Sequence, residues 1–280
     1  MLINLKNKIL ELFIKILSHI YVPAAIEFEF FRLFKRFIDY KNPKTFSEKI
    51  IIKKSSEEFK KLAEYADKWK VREYVNSVIG EIYEIPLNAV YDSPDEIDYE
   101  SIEEGAVMKL NHGSGFNLIY HKKNKKDVQK KIRKWFFTDF SKYRNEKQYC
   151  DIPRKILIEK NIVPNGEVLW EYSFFTFHGI VEFTQIRDNA GHRFEVGRNY
   201  EQLPFHLYSY VTEILPKIPE YDQMVSLAEK LASLFEFVRV DFFVVNHKIY
   251  FAELTFSPNT GLKKFNPEPY NYLFGEKISV

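Results

Sequence analysis

Apolar positions at the start of the chain recur every three or four residues: Leu2, Leu5, Ile9, Leu12, Phe13, Ile16, Leu17 and Ile20, with Lys6, Lys8 and Lys15 elsewhere on the wheel. That period is helical, so residues 3–20 are read as an amphipathic helix. Similar patterning predicts helices near 24–39, 45–62, 67–77, 124–138 and 221–236. Short apolar runs rich in β-branched and aromatic residues predict strands near 82–90, 105–110, 155–160, 167–176, 179–187, 238–245 and 249–256. His178-Gly179 marks a hairpin turn between two of them. Helices and antiparallel hairpins in mixed order give an α+β fold, with no internal repeat and no long Gly/Ser linker.

The last two strands carry the first chemical signal. Each is strongly apolar and each holds one acid, Asp241 and Glu253, which is costly in a strand unless a cation or partner offsets it. Alternation places Arg239, Asp241 and Phe243 on one face, and Phe251, Glu253 and Thr255 on one face of the next strand. A three-residue loop, Asn246-His247-Lys248, pairs Val245 with Ile249 and sets Asp241 opposite Glu253. A regular two-residue turn would set Asp241 against Ala252 and part the acids unless a bulge restored the phase. Two facing carboxylates repel unless something positive lies between them, and hard oxygen ligands suit Mg²⁺ carrying phosphates. The segment by itself also fits an amphipathic hairpin whose acids face solvent.

Upstream, Ala106 to Leu110 reads as a buried strand bearing Lys109, followed by the loop Asn111-His112-Gly113-Ser114-Gly115. Glycines let backbone N–H groups approach an anion, and a lysine reaches the same phosphates as a point charge. The loop matches neither the P-loop nor the dinucleotide fingerprint, and alone it reads equally as an ordinary turn. Lys155 to Ile162 is an apolar strand ending in charge, which an edge strand would also show.

In order, Ala66-Asp67-Lys68, Val107-Met108-Lys109 with its glycine loop, Leu157-Ile158-Glu159-Lys160, and Arg239-Val240-Asp241 with Glu253 twelve residues on resemble the motifs of the ATP-grasp superfamily. Asn42-Pro43-Lys44-Thr45-Phe46-Ser47-Glu48-Lys49-Ile50, the run Ala66 to Val75 and Lys109 to Gly115 resemble the TupA-like ATP-grasp family of cell-surface, teichuronopeptide-type polysaccharide biosynthesis. The resemblance covers about residues 40 to 262. It implies two α+β subdomains, 65–158 and 159–280, clamping ATP between antiparallel sheets, with 1–64 as a helical extension.

Position by position, it implies that Lys68 and Lys109 meet ATP phosphates while His112, Gly113, Ser114 and Gly115 close over them. Glu159, Lys160 and Ile162 would hold the adenine edge, and Glu171 the ribose. Asp241, Glu253 and Thr255 would hold Mg²⁺. Two positions depart from the pattern: Thr255 stands where asparagine is common, and Ser173 where the family has lysine. The implied reaction is ATP-dependent ligation of a carboxylate to an amine through an acyl phosphate, with Arg239, Lys109 and Arg187 as catalytic candidates. A uronic acid would supply the carboxylate and an amino acid or amino alcohol the amine, or the reverse. Arg187, Arg193 and Arg198 are candidates for gripping the acceptor carboxylate. A glycosyltransferase of the same pathway is the rival reading, although no Asp-x-Asp motif is present.

The 280 residues with 45% hydrophobic content supply ample core. Cys150 is the only cysteine, which excludes an intramolecular disulfide or Cys-based zinc site and suits a cytoplasmic protein. A net charge of +2, with acids at 92–104 and lysines at 122–134, describes solvated faces and argues against nucleic acid as a partner. The N-terminal helix is too interrupted by charge and Pro23 for the roughly 18 to 20 apolar residues of a span, and it lacks a signal-peptide cleavage pattern. Its apolar face is expected against the domain, against a second protomer as a homodimer, or at the inner face of the membrane.

Overall fold

The computed structural model describes Ile14, Leu17 and residues 20–280 except 164–166 and 208–210. Ile14, Leu17 and Ile20 are helical, and the rest of the amphipathic segment read at 3–20 lies outside the described residues. Nine strands form two antiparallel sheets among the described residues. β1 (Leu87–Tyr91), β2 (Val107–Leu110), β3 (Asn117–Ile119) and β4 (Ile156–Glu159) make the first, in the order β1-β4-β2-β3. β5 (Trp170–Phe177), β6 (Ile180–Asp188), β7 (Arg193–Gly197), β8 (Phe237–Val245) and β9 (Lys248–Thr255) make the second, in the order β7-β6-β5-β8-β9. The α+β expectation holds, with sheets that are antiparallel throughout.

Each sheet turns one face to helices and leaves part of the other free. On the first, alternation sends Met108, Leu110, Ile156 and Ile158 onto Val128 and Ile132 of the helix Lys125–Phe136. On the second, Phe174, Ile186, Val240 and Phe242 meet Met224, Leu227, Ala228 and Leu231 of the helix Tyr221–Ala232. Those four helix positions follow the i, i+3, i+4, i+7 stripe, and each fully buried large side chain contributes about 1.5–3 kcal/mol. Val71 and Val75 of the helix Val71–Ile79 join the same cluster. The second sheet's other face is covered at one end by Phe46, Ile50, Phe265 and Phe274 packed on Phe175, Phe177 and Phe183.

Several boundaries moved for local reasons. The helix read at 45–62 stops at Lys54, and Glu57–Leu62 continues as a 3-10 turn. The helix read at 67–77 begins at Val71 because the Asp67 carboxylate accepts the Trp69 and Lys70 N–H groups at 2.8 and 3.3 Å. It stops where Gly80 adopts φ +95°. Residues 81–83 form a 3-10 turn, so the strand read at 82–90 starts only at Leu87.

The Asn42 to Ile50 motif has a structural role. Thr45 caps the helix Phe46–Lys54 in a reciprocal capping box with Glu48. Glu48 is buried, ion-paired with Arg36, and accepts N–H groups of Asp39, Lys44 and Thr45 at 3.2, 3.2 and 3.0 Å. Burial alone would raise its pKa, but Arg36 and the Thr45 donors hold it at about 2. A depressed folded pKa gives stability that is complete above the ordinary glutamate value of 4.5 and lost as pH falls through about 2. Glu48→Gln should therefore cost roughly 3 kcal/mol at pH 7, from about 1.4 kcal/mol per pKa unit. Urea titrations should show the gap between the two proteins closing between pH 4.5 and about 2; a gap that does not change with pH would contradict the assignment.

Candidate active site

The β8–β9 hairpin differs from the three-residue loop read from sequence. Asn246 and His247 both adopt left-handed φ, at 50° and 60°, and close a two-residue turn that pairs Val245 with Lys248. Pairing then runs through Val244 with Ile249, Phe243 with Tyr250 and Phe242 with Phe251. There Ala252 bulges as an extra residue, and the phase is restored so that Asp241 lies opposite Glu253. The acids share a row by the bulge route, and the row continues across β5 and β6 through Ser173 and Gln185.

Arg239 lies between the two acids. Its Nε and Nη2 reach Asp241 at 2.7 and 2.5 Å, and Nη2 reaches Glu253 at 3.2 Å and the Thr255 hydroxyl at 3.1 Å. Thr255 donates to Glu253 at 2.8 Å. Burial works against the Arg239 charge, but Asp241 and Glu253 outweigh it and raise its pKa. Burial, then the charges of Glu253 and Glu171, push Asp241 up to about 7 against the pull of Arg239. Burial also disfavours charge on Glu253, yet Lys68, Arg239 and the Thr255 hydroxyl hold it below the usual range. Two acids on one guanidinium therefore divide unequally, as coupled carboxylates do.

Lysines approach from the first sheet and from the turn before the helix Val71–Ile79. Lys68 Nζ donates to the Gly113 carbonyl at 2.5 Å and lies 3.9 Å from Glu253. Burial, with Lys109 nearby, lowers its pKa. Lys109, on the free face of β2, pairs with Glu159 at 2.5 Å. Sequence reasoning missed what holds Lys68 in place. Asn111 Nδ2 donates to Asp67 at 2.8 Å and to the Pro153 carbonyl at 2.8 Å, tying the Asp67-Lys68 turn to the glycine loop and to the entry of β4. The buried, polar pair Asp67 and Asn111 within two motifs was the available signal.

Between the sheets lies a cleft of about 880 Å³. Lys68, Lys109, Ser114, Gly115, Glu159, Lys160, Ile162, Glu171, Arg187, Asp241 and Glu253 line it, all residues singled out from sequence. Gly113 sits just behind, where an added Cβ would fall 2.8 Å from the Phe140 ring. His112 turns away into a second cavity. Arg239 and Thr255 stand beneath the acids rather than in the lining. Arg187 lines the cleft but is held by Glu171 through bonds of 3.0 and 2.7 Å, whereas Arg198 is bound by Glu229 and, like Arg193, lies off the cleft. Two carboxylates and a hydroxyl are hard donors that suit Mg²⁺. Among the described residues no group of three His, Cys, Asp or Glu side chains could hold a metal, so the ion's remaining ligands would come from water or phosphate.

Paired antiparallel sheets with lysines and a glycine loop on one wall and a bulge-aligned acid pair on the other define an ATP-grasp protein. The chain belongs to the TupA-like ATPgrasp family, whose model matches residues 48–279. No curated protein matches it. Among solved structures, D-alanine–D-alanine ligase from Bacillus anthracis complexed with ATP is 17% identical, with TM-score 0.42, covering 68% of this chain and 54% of that one. The Helicobacter pylori D-alanine–D-alanine ligase is 13% identical, with TM-score 0.43 and coverage of 77% and 61%. The ATP-grasp ligase PsnB complexed with a minimal precursor is 10% identical, with TM-score 0.39 and coverage of 70% and 54%. The chain thus spans somewhat over half the length of these structures.

Proposed function

We propose that the protein is an ADP-forming carboxylate–amine ligase that joins an amino acid or amino alcohol to a uronic acid during surface-polysaccharide biosynthesis. The observation that supports it most is the convergence of Lys68 and Lys109 with Asp241 and Glu253 on one cleft, with Arg239 beneath. In this reading, the first sheet and glycine loop within 65–158 hold the phosphates, 159–280 supplies the acids, and 1–64 is a helical extension.

The chemistry is charge management around a phosphoryl transfer. A carboxylate oxygen attacks the γ-phosphorus and ADP leaves. The amine then attacks the acyl carbon, phosphate leaves, and the amine's proton passes to solvent. Lys68 and Lys109 neutralise the phosphates, and the Ser114-Gly115 backbone approaches them without side-chain bulk. The Lys160 to Ile162 main chain borders the adenine, and Glu171 meets the ribose while Arg187 holds it in position. Asp241 and Glu253, with Thr255 behind them, would hold Mg²⁺, which would act as a Lewis acid that offsets phosphate charge. Arg239, beneath the cleft lining, fixes both acids and balances their charge. ATP as co-substrate suits a cytoplasmic site of action, and no helix among the described residues is long and apolar enough to cross a membrane.

The test is a matrix of uronic acids against amines with ATP and Mg²⁺, read by mass spectrometry. The reading requires ATP turnover only when both substrates are present, with an amide product at the summed mass less water. Steady turnover with neither substrate, or sugar transfer from a nucleotide sugar without ATP, would contradict it.

A further inference from the structure

The glycine loop has a second side. Ser114 and Gly115 line the cleft, but His112 lines a separate cavity of about 380 Å³. The partition is thin: Gly113, whose carbonyl accepts from Lys68, stands directly on the Phe140 ring, and Phe140 lines the second cavity. The far wall lies within electrostatic reach of the acid pair, because the half-buried Tyr149 that lines the cavity feels the charges of Glu253 and Arg239. The second cavity therefore abuts the end of the cleft where a γ-phosphate would lie.

Its lining is polar and carries uncommitted groups. Lys60 and Lys142 line it but are paired with Glu57 and Asp139. Arg154 lines it with no ion pair or hydrogen bond among the described residues. His112 is 3% exposed, and its Nε2 has no hydrogen-bond partner. A half-buried guanidinium without a partner, in the same cavity as His112 and near enough for its charge to act on that ring, is placed to grip a carboxylate through two donors. Asp151 and Ser141 offer acceptors for hydroxyls, and Phe140 packs edge to face on Tyr149 at 5.1 Å beside them. None of Arg187, Arg193 and Arg198 combines an uncommitted guanidinium with a place beside the acids.

We propose that this cavity is the acceptor site, taking a small hydroxylated carboxylate with Arg154 as the residue that binds its carboxylate. The assignment rests on the ligase reading above, and it puts the attacking oxygen on the opposite side of the glycine loop from the nucleotide body. The test is calorimetry on the full chain with glucuronate, glucose and inorganic phosphate as probes, in the presence of Mg²⁺ and a non-hydrolysable ATP analogue. Glucuronate should bind, glucose at least tenfold more weakly, and phosphate should not compete. Arg154→Gln should weaken glucuronate at least tenfold with unchanged affinity for the ATP analogue, while Lys109→Ala should do the reverse. Equal binding of glucose, competition by phosphate, or glucuronate affinity indifferent to Arg154→Gln would overturn the assignment and leave the nucleotide reading standing. Failure of the ATP analogue to bind at all would instead remove the ligase reading.

Discussion

Asp241→Asn and Glu253→Gln should each lower kcat by roughly a hundredfold or more, the order associated with losing one preorganised electrostatic group. The acids lie opposite each other only because Ala252 bulges, and they share a single guanidinium, so neither can replace the other. The fold should survive both changes. The hairpin is held by Val240, Phe242, Phe251 and Leu254 on its opposite face, and amide side chains keep the shape and an acceptor oxygen for Arg239. Circular dichroism with steady-state kinetics checks this: a folded variant with near-normal kcat would return that acid to a structural role. The acids are also less strained than facing carboxylates read from sequence would be, because Arg239 already supplies the positive charge between them.

Lys109→Ala should weaken ATP binding by roughly tenfold to a hundredfold, the value of one hydrogen bond to a charged group at about 1.5–3 kcal/mol. A second effect must be separated from this one. Glu159 is buried and pairs with Lys109, so removing the lysine leaves a buried acid without its cation. The single variant should therefore lose stability as well, by about 1–3 kcal/mol. Adding Glu159→Gln should restore stability and leave the nucleotide affinity low. Fluorescence titration with a labelled ATP analogue, beside thermal melts, distinguishes the outcomes. Affinity that returns together with stability would show that Lys109 acts through packing alone.

The second sheet was largely legible because its strands are long apolar runs rich in β-branched and aromatic residues: β5, β6, β8 and β9 were all read within a few residues. β3 and β7 were not. β3 is three residues long with two of them exposed, and β7, although Arg193-Phe194-Glu195-Val196 alternates, is a five-residue edge strand carrying two charges, which reads as a loop. The C-terminal helix Pro269–Glu276 was missed for a similar reason, since its apolar contact is mainly Phe274 in a phenylalanine cluster built from distant segments. Parity gave the acid pair its face, but turn geometry was misread: Asn246 and His247 accept left-handed φ, and the missing residue of phase is supplied at Ala252. Lys109 and the glycine loop were legible as a charge and glycines at the end of a strand, whereas Lys68, in the turn between the helices Ala63–Ala66 and Val71–Ile79, was marked only by the family resemblance. The clamp through Asp67 and Asn111 was not, because a polar pair 44 residues apart shows its hydrogen bond only in three dimensions. Arg154 was invisible for the opposite reason: nothing in its neighbours marks it, and its lack of a partner is a property of the folded chain alone.

The central claim is that the cleft transfers the γ-phosphoryl group of ATP to a carboxylate, and the identity of the nucleotide product tests it most directly. Phosphorus NMR of a reaction containing the protein, Mg²⁺, ATP, a uronic acid and an amine should show ADP and inorganic phosphate in equal amounts, with oxygen-18 passing from a labelled carboxylate into the phosphate. AMP and pyrophosphate, or phosphate free of the label, would contradict the account.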